Sequence, residues 1–206
     1  AKIMRGEVPP QDISDLPDVR RGLLLESLAI DLLEELLEVK IERHDQNNFL
    51  YASLYPWAHT LPDGFIHHGE DGKFDPATSD IVEIKVPHPR TCKRVESEGL
   101  PEIWIVQAQH NMMVTQTTRC HCGILNPDPN ILQVKHYPIE RDDMLIEQLA
   151  ICEREFWDKV QSGEPLPEIS TAQEWTKPEG AKTLDSDEAA NAAASFLPAR
   201  DRQEGA

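Results

Sequence analysis

Leu61-Pro62-Asp63-Gly64-Phe65 and, some twenty residues on, Val82-Glu83-Ile84-Lys85-Val86 are the two stretches on which the reading of this chain turns. Side chains alternate between the faces of a strand, so Val82, Ile84 and Val86 are expected to point into a core while Glu83 and Lys85 share the opposite face. An acid and a base side by side on an otherwise apolar strand are unusual to keep for packing alone. If Asp63 ends the preceding strand of a hairpin, its carboxylate stands beside that of Glu83. Two converging carboxylates and the carbonyl of Ile84 form a hard oxygen site suited to magnesium or manganese, with two ions an option. Phosphodiester hydrolysis uses such a set, and Lys85 could orient the attacking water or offset charge on the phosphorane.

A surface Glu–Lys pair and a Pro-Asp-Gly turn are each common alone, so further residues have to tip the balance. Arg21 to about Val39 reads as a helix, with Leu25, Leu28, Ala29, Leu32, Leu33, Leu36 and Leu37 in a broad apolar stripe. Glu26 sits on that apolar side, among Leu23, Ile30, Leu33 and Leu37. A carboxylate there is costly unless it is paired, metal-bound or able to snorkel to solvent. Glu102 to Thr115 also reads as helical, with Gln107, His110 and Asn111 on one polar face that could support a water or phosphate beside Lys85.

The remaining elements follow from periodicity and turn residues. Tyr51–Ile66 suggests one or two short strands, His67–Ser79 a hairpin loop, and Ile81–Val86 a strand. A loop containing proline and arginine follows, before the 102–115 helix. Strands near 119–125 and 131–139 flank an Asn-Pro-Asp-Pro-Asn turn, and a second long helix covers about 141–161. Beyond Pro167 the composition shifts to Ala, Glu, Ser and Asp without a stripe, which predicts a poorly ordered tail over 168–206. The fold class is α/β: a mixed central sheet carrying Asp63 and Glu83, flanked by helices.

Net charge is −17, which disfavours indiscriminate binding to polyanions. Residues 170–206 hold seven acids and four bases, so most of the excess lies on the folded part. Any contact with DNA must therefore be local. The one basic concentration is His88, Arg90, Lys93 and Arg94 just after the Glu-Ile-Lys strand, with Arg20 and Arg21 before the first helix. These could hold phosphates without reading bases. No membrane span or secretory signal is seen, and the four cysteines read as reduced thiols of a cytoplasmic protein. His59, His67 and His68 match no standard zinc spacing, and Cys120-His121-Cys122 lacks a second pair. Trp57, Trp104 and Trp157 are read as core residues, not base-stacking platforms.

Taken in order, Leu-Pro-Asp-Gly, Glu-Ile-Lys-Val-Pro and Gln-Ala-Gln-His-Asn-Met-Met-Val-Thr resemble the YqaJ-type viral recombinase nucleases, relatives of lambda exonuclease in the PD-(D/E)xK superfamily. The likeness runs from about Gly22 to the helix ending Glu-Phe-Trp-Asp-Lys-Val. It implies a restriction-endonuclease-like core and one nuclease domain over 1–167. It further implies a magnesium-dependent 5′→3′ exonuclease that leaves 3′ single strands on linear duplex DNA for an annealing protein, in a bacterial or phage-infected cytoplasm. Lambda-like members form a ring-shaped homotrimer. By motif, Asp63 and Glu83 would be metal ligands, Lys85 the catalytic lysine, Gln107 the active-site glutamine and Glu26 the acid supplied by the first helix. Leu61 stands where many relatives place a serine near the DNA end. An endonuclease or nickase of the same superfamily, and a silent acidic interaction protein, are the alternatives.

Overall fold

The structure, a computed structural model, describes Gly6, Pro9, Asp12, Ile13, residues 16–45 and residues 47–164. The tail expected over 168–206 lies outside the described residues. Five strands form one mixed sheet in the order β1 (Glu42–Arg43), β4 (Gly64–His67), β5 (Ser79–Lys85), β6 (Arg119–Asn126), β7 (Gln133–Glu140). Only β5 and β6 run parallel, and the connection between them carries α2 (Pro89–Glu98) and α3 (Glu102–Thr115). A parallel pair needs such a crossover, because a tight turn can only reverse the chain. A second small sheet pairs β2 (Leu50–Tyr51) with β3 (His59–Thr60).

The alternation read from Val82-Glu83-Ile84-Lys85 divides the molecule into layers. Val82 and Ile84 pack with Ile66, Leu125 and Val134 against Ala29, Ile30 and Leu33 of α1 (Pro17–Leu37). Ile81, Cys120, Cys122 and Ile124 pack on the other face against Cys92 and Val95 of α2 and Ala108 and Met112 of α3. Gly123 lets α1 sit close on the sheet: a Cβ there would meet Ile84 Cδ1 at 2.8 Å and Leu33 Cδ2 at 3.0 Å. Pro17 starts α1 at a position where its missing N–H goes unneeded, and Glu38 ends it with φ 54°. Helix α4 (Asp143–Ser162) is capped by Asp142, whose side chain accepts from the N–H of Leu145 at 3.0 Å.

Two expectations change. Three short strands, not one or two, occupy Leu50–His67. Residues 89–98, expected as loop, form α2. The signals are present in hindsight: the His88 side chain accepts from the N–H of Arg90, Pro89 is the first helical residue, and Gly99 follows the end with φ 87°. Cys92 and Val95 supply only two inward residues, too few to show as a period.

On the α1 face of the sheet, Asp80 collects two histidines. Its Oδ2 accepts from Nε2 of His68 at 2.8 Å and from Nε2 of His121 at 3.0 Å. His121 in turn stacks on His136, their ring nitrogens 2.9 Å apart. Burial alone would push the Asp80 carboxyl up, but the His121 and His68 hydrogen bonds outweigh it and the carboxyl lies below its ordinary range. Its stabilising contribution is therefore present above the ordinary carboxylate value and lost as pH falls through the lowered one. Asp80→Asn is expected to remove about 1–2 kcal/mol of stability near neutral pH. Urea unfolding at pH 7 and pH 3 checks this; an equal deficit at both would show that charge is not the cause.

Candidate active site

Asp63 does not end a strand. It immediately precedes β4, and its N–H donates to the carbonyl of Val82 at 3.1 Å. Gly64 pairs with Val82, so Asp63 stands one step beyond that pair, opposite Glu83. Asp63 and Glu83 thus stand in register across the opening of β4 and not its close, and the charge of Glu83 acts on Asp63. Gly64 is needed at that opening, because a Cβ would meet the Glu42 carbonyl oxygen and Ile41 Cγ2, each at 2.8 Å. Oδ2 of Asp63 accepts from the N–H of Ile84 at 2.5 Å, which ties the carboxylate to β5.

Glu83 and Lys85 share a face, as alternation requires. Lys85 Nζ donates to Glu83 Oε1 at 2.5 Å and to Gln107 Oε1 at 2.9 Å, and Gln107 Nε2 donates to Glu83 Oε1 at 2.7 Å. Gln107 thus closes a three-residue ring from α3. Glu26 enters from α1: burial raises its pKa first, and the negative charge of Glu83 raises it further. Asp63 is pushed up to about 8, by burial first and then by Glu83, with Glu26 adding, against the opposing hydrogen bond from Ile84. The five residues singled out in the sequence, Asp63, Glu83, Lys85, Gln107 and Glu26, therefore act on one another electrostatically or through hydrogen bonds.

This is an excess of negative charge in a half-enclosed place. Among the described residues, no three His, Cys, Asp or Glu side chains close on a single point. The carboxylates that act on one another, Asp63, Glu83 and Glu26, offer oxygen donors, the kind a hard cation that keeps waters takes.

Other expected residues fall elsewhere. Arg90, Lys93 and Arg94 are exposed on α2, which begins shortly after Lys85. Arg21 is half-buried on α1, within electrostatic reach of Cys92 in α2. His110 does not support Lys85. Its Nδ1 lies 2.6 Å from Glu153 Oε1 of α4, and its Nε2 donates to the His59 carbonyl at 3.0 Å. Both ring nitrogens face oxygens, and the Glu153 hydrogen bond raises the ring's pKa. Gln109, the second glutamine of the Gln-x-Gln pair, is a buried strut: Nε2 donates to the Glu140 carbonyl, and Oε1 accepts from the N–H of Asp142. Trp57 and Trp104 are half-buried against hydrophobic clusters, and Trp157 is also half-buried. All four cysteines are free, and among the described residues no helix is long and apolar enough to cross a membrane.

The residue that sequence reasoning undervalued is Asn111. It belonged to the polar face of α3, but its partner could not be read: Nδ2 donates to Glu83 Oε2 at 3.0 Å.

Known proteins resemble this chain in sequence and in fold. The YqaJ-like viral recombinase domain matches residues 2–118. The uncharacterized protein YqaJ of Bacillus subtilis (strain 168) is 34% identical over 108 residues, which is 50% of this chain and 33% of that protein. The chain thus spans about a third of the length of the curated relative it matches. An alkaline exonuclease from Laribacter hongkongensis shares the fold with a TM-score of 0.63 at 20% identity, over 78% of this chain and 76% of that one. A phage related exonuclease from Haemophilus somnus 129PT does so with a TM-score of 0.52 at 13% identity, over 80% of each chain.

Proposed function

Because the chain belongs to the YqaJ-like viral recombinase family, we propose that it is a magnesium-dependent exonuclease that degrades one strand of linear duplex DNA from its 5′ end. The 3′-ended strand left behind would pass to a single-strand annealing protein in homologous recombination. The observation that carries the reading is the meeting of Asp63, pushed up to about 8, with a Glu83 already held by Lys85 and Gln107. Asp63, Glu83 and the Ile84 carbonyl would hold Mg2+, or Mn2+ in its place, with Glu26 available to a second ion. Bound there, such ions lower the pKa of an attacking water and neutralise charge on the phosphoryl group.

The chain's own residues do the positioning. Lys85 places a fixed positive charge beside Glu83, where charge develops on the phosphoryl oxygens. Gln107 stops the lysine from swinging away by accepting from its Nζ. Arg90, Lys93, Arg94 and Arg21 would receive backbone phosphates on one side, which suits a chain whose net charge of −17 repels DNA elsewhere. By family likeness the working assembly is a ring-shaped trimer; a monomer mass by light scattering at working concentration would remove that part.

End-labelled linear duplex and covalently closed circles, each with magnesium, test the activity. Linear DNA is expected to shorten from the 5′ end while circles persist. Loss of circles at a comparable rate would replace the exonuclease with an endonuclease. Comparing 5′-phosphate with 5′-hydroxyl ends asks whether Leu61, in place of a serine, relaxes the preference between them.

A further inference from the structure

Glu83 is gripped on both oxygens. Oε1 takes the Lys85 ammonium and the Gln107 amide, while Oε2 takes the amide of Asn111. The carboxylate decides which end of that amide faces it, because a flipped Asn111 would set oxygen against oxygen. The far end, Oδ1, accepts from the Thr60 hydroxyl at 2.6 Å. Thr60, Asn111 and Glu83 are only 6%, 4% and 5% exposed, so water is poorly placed to substitute for any link. Thr60 lies on β3, three residues before Asp63. The string therefore begins beside one carboxylate and ends on the other. His110, next to Asn111, grips the carbonyl of His59, next to Thr60, so α3 is fastened to β3 at two successive residues.

We propose that Asn111 is a positioning residue for Glu83, and that Thr60 anchors it to the segment delivering Asp63, so that the string sets the spacing of the two carboxylates for a divalent cation. This rests on the cation-dependent reading above. Neither residue touches substrate; each acts through Glu83. Supporting groups of this kind change metal affinity or activity by about 10–100-fold when removed.

The test uses the full chain and two readouts. Mn2+ binding without DNA is measured from the electron paramagnetic resonance signal of the free ion, and kcat and KM are measured on end-labelled linear duplex with Mg2+. Thr60→Val keeps shape and loses the hydroxyl; it is expected to weaken Mn2+ binding and lower kcat, each by about 3–10-fold, while KM for DNA stays within about twofold. Thr60→Ser should restore both. Asn111→Leu should lose about 10–100-fold on both. A Thr60→Val protein equal to wild type, or no better binding and turnover in Thr60→Ser than in Thr60→Val, overturns the proposal. A wild type that binds Mn2+ without cutting DNA removes the nuclease reading, and the Mn2+ series still judges Asn111. A wild type that binds no Mn2+ overturns both.

Discussion

Lys85→Ala is expected to lower magnesium-dependent cleavage of linear duplex by about 10²–10³-fold in kcat, with KM for DNA little changed. The ammonium sits 2.5 Å from Glu83 and 2.9 Å from Gln107, with its side chain only 19% exposed. In so enclosed a place a fixed charge is worth far more to a developing oxyanion than in water. Removing it also leaves the buried Glu83 without its nearest positive charge. Lys85→Arg should recover little, because the planar fork cannot occupy the point between a carboxylate and an amide oxygen that an ammonium fills. Single-turnover cleavage with saturating enzyme separates the chemical step from binding. Turnover within about threefold of wild type in Lys85→Ala would remove the lysine from the mechanism.

Asp63→Asn should abolish cleavage and, in chelator, make the protein more stable. An acid whose folded pKa is raised gives the native state an extra proton across the window between its ordinary value and about 8. Stability is therefore lost as pH rises through that window, and asparagine, which has no charge to bury, avoids the loss. Its side-chain oxygen can still accept from the Ile84 N–H. A gain of about 1–2 kcal/mol is expected near pH 8.5, read as roughly 2–8 °C in Tm for a domain of this size. The advantage should shrink as pH falls and vanish well below the ordinary carboxylate value, where the wild-type carboxyl is protonated in both states. Magnesium should raise the wild-type Tm and leave the variant's unchanged. A variant less stable than wild type in chelator at high pH would show that Asp63 is not a strained carboxylate.

Much of this was legible because it rested on period. The strand carrying Glu83 and Lys85 shows its two faces in five residues, and Glu26 declares itself by standing on the wrong side of an apolar stripe. Direction and end effects were less visible. Asp63 opens β4 where the sequence suggested it closed a strand, since Pro62-Asp63-Gly64 reads as a turn either way. The α2 helix was hidden because its punctuation, His88, Pro89 and Gly99, was stronger than its two-residue stripe. Thr60 and Asn111 are 51 positions apart, and Asn111 and Glu83 are 28. Polar pairings at such separations leave no periodic trace, because each depends on how three elements dock. His110 shows the same limit: helical spacing placed it beside Gln107, while the packing of α4 decided that it would face Glu153.

The two helical layers lie on opposite faces of the sheet, one bearing Glu26 and the other bearing Gln107 and Asn111. Neither layer alone assembles the cluster. With α1 undocked, Asp63 and Glu83 lose the third carboxylate; with α3 undocked, Lys85 loses the amide that aims it and Glu83 loses its grip on both oxygens. The cluster is therefore a property of the finished sandwich. A nascent or partly unfolded chain carries these groups already translated but not yet mutually aimed, and under the proposed nuclease reading the order of docking sets the moment at which cleavage could begin.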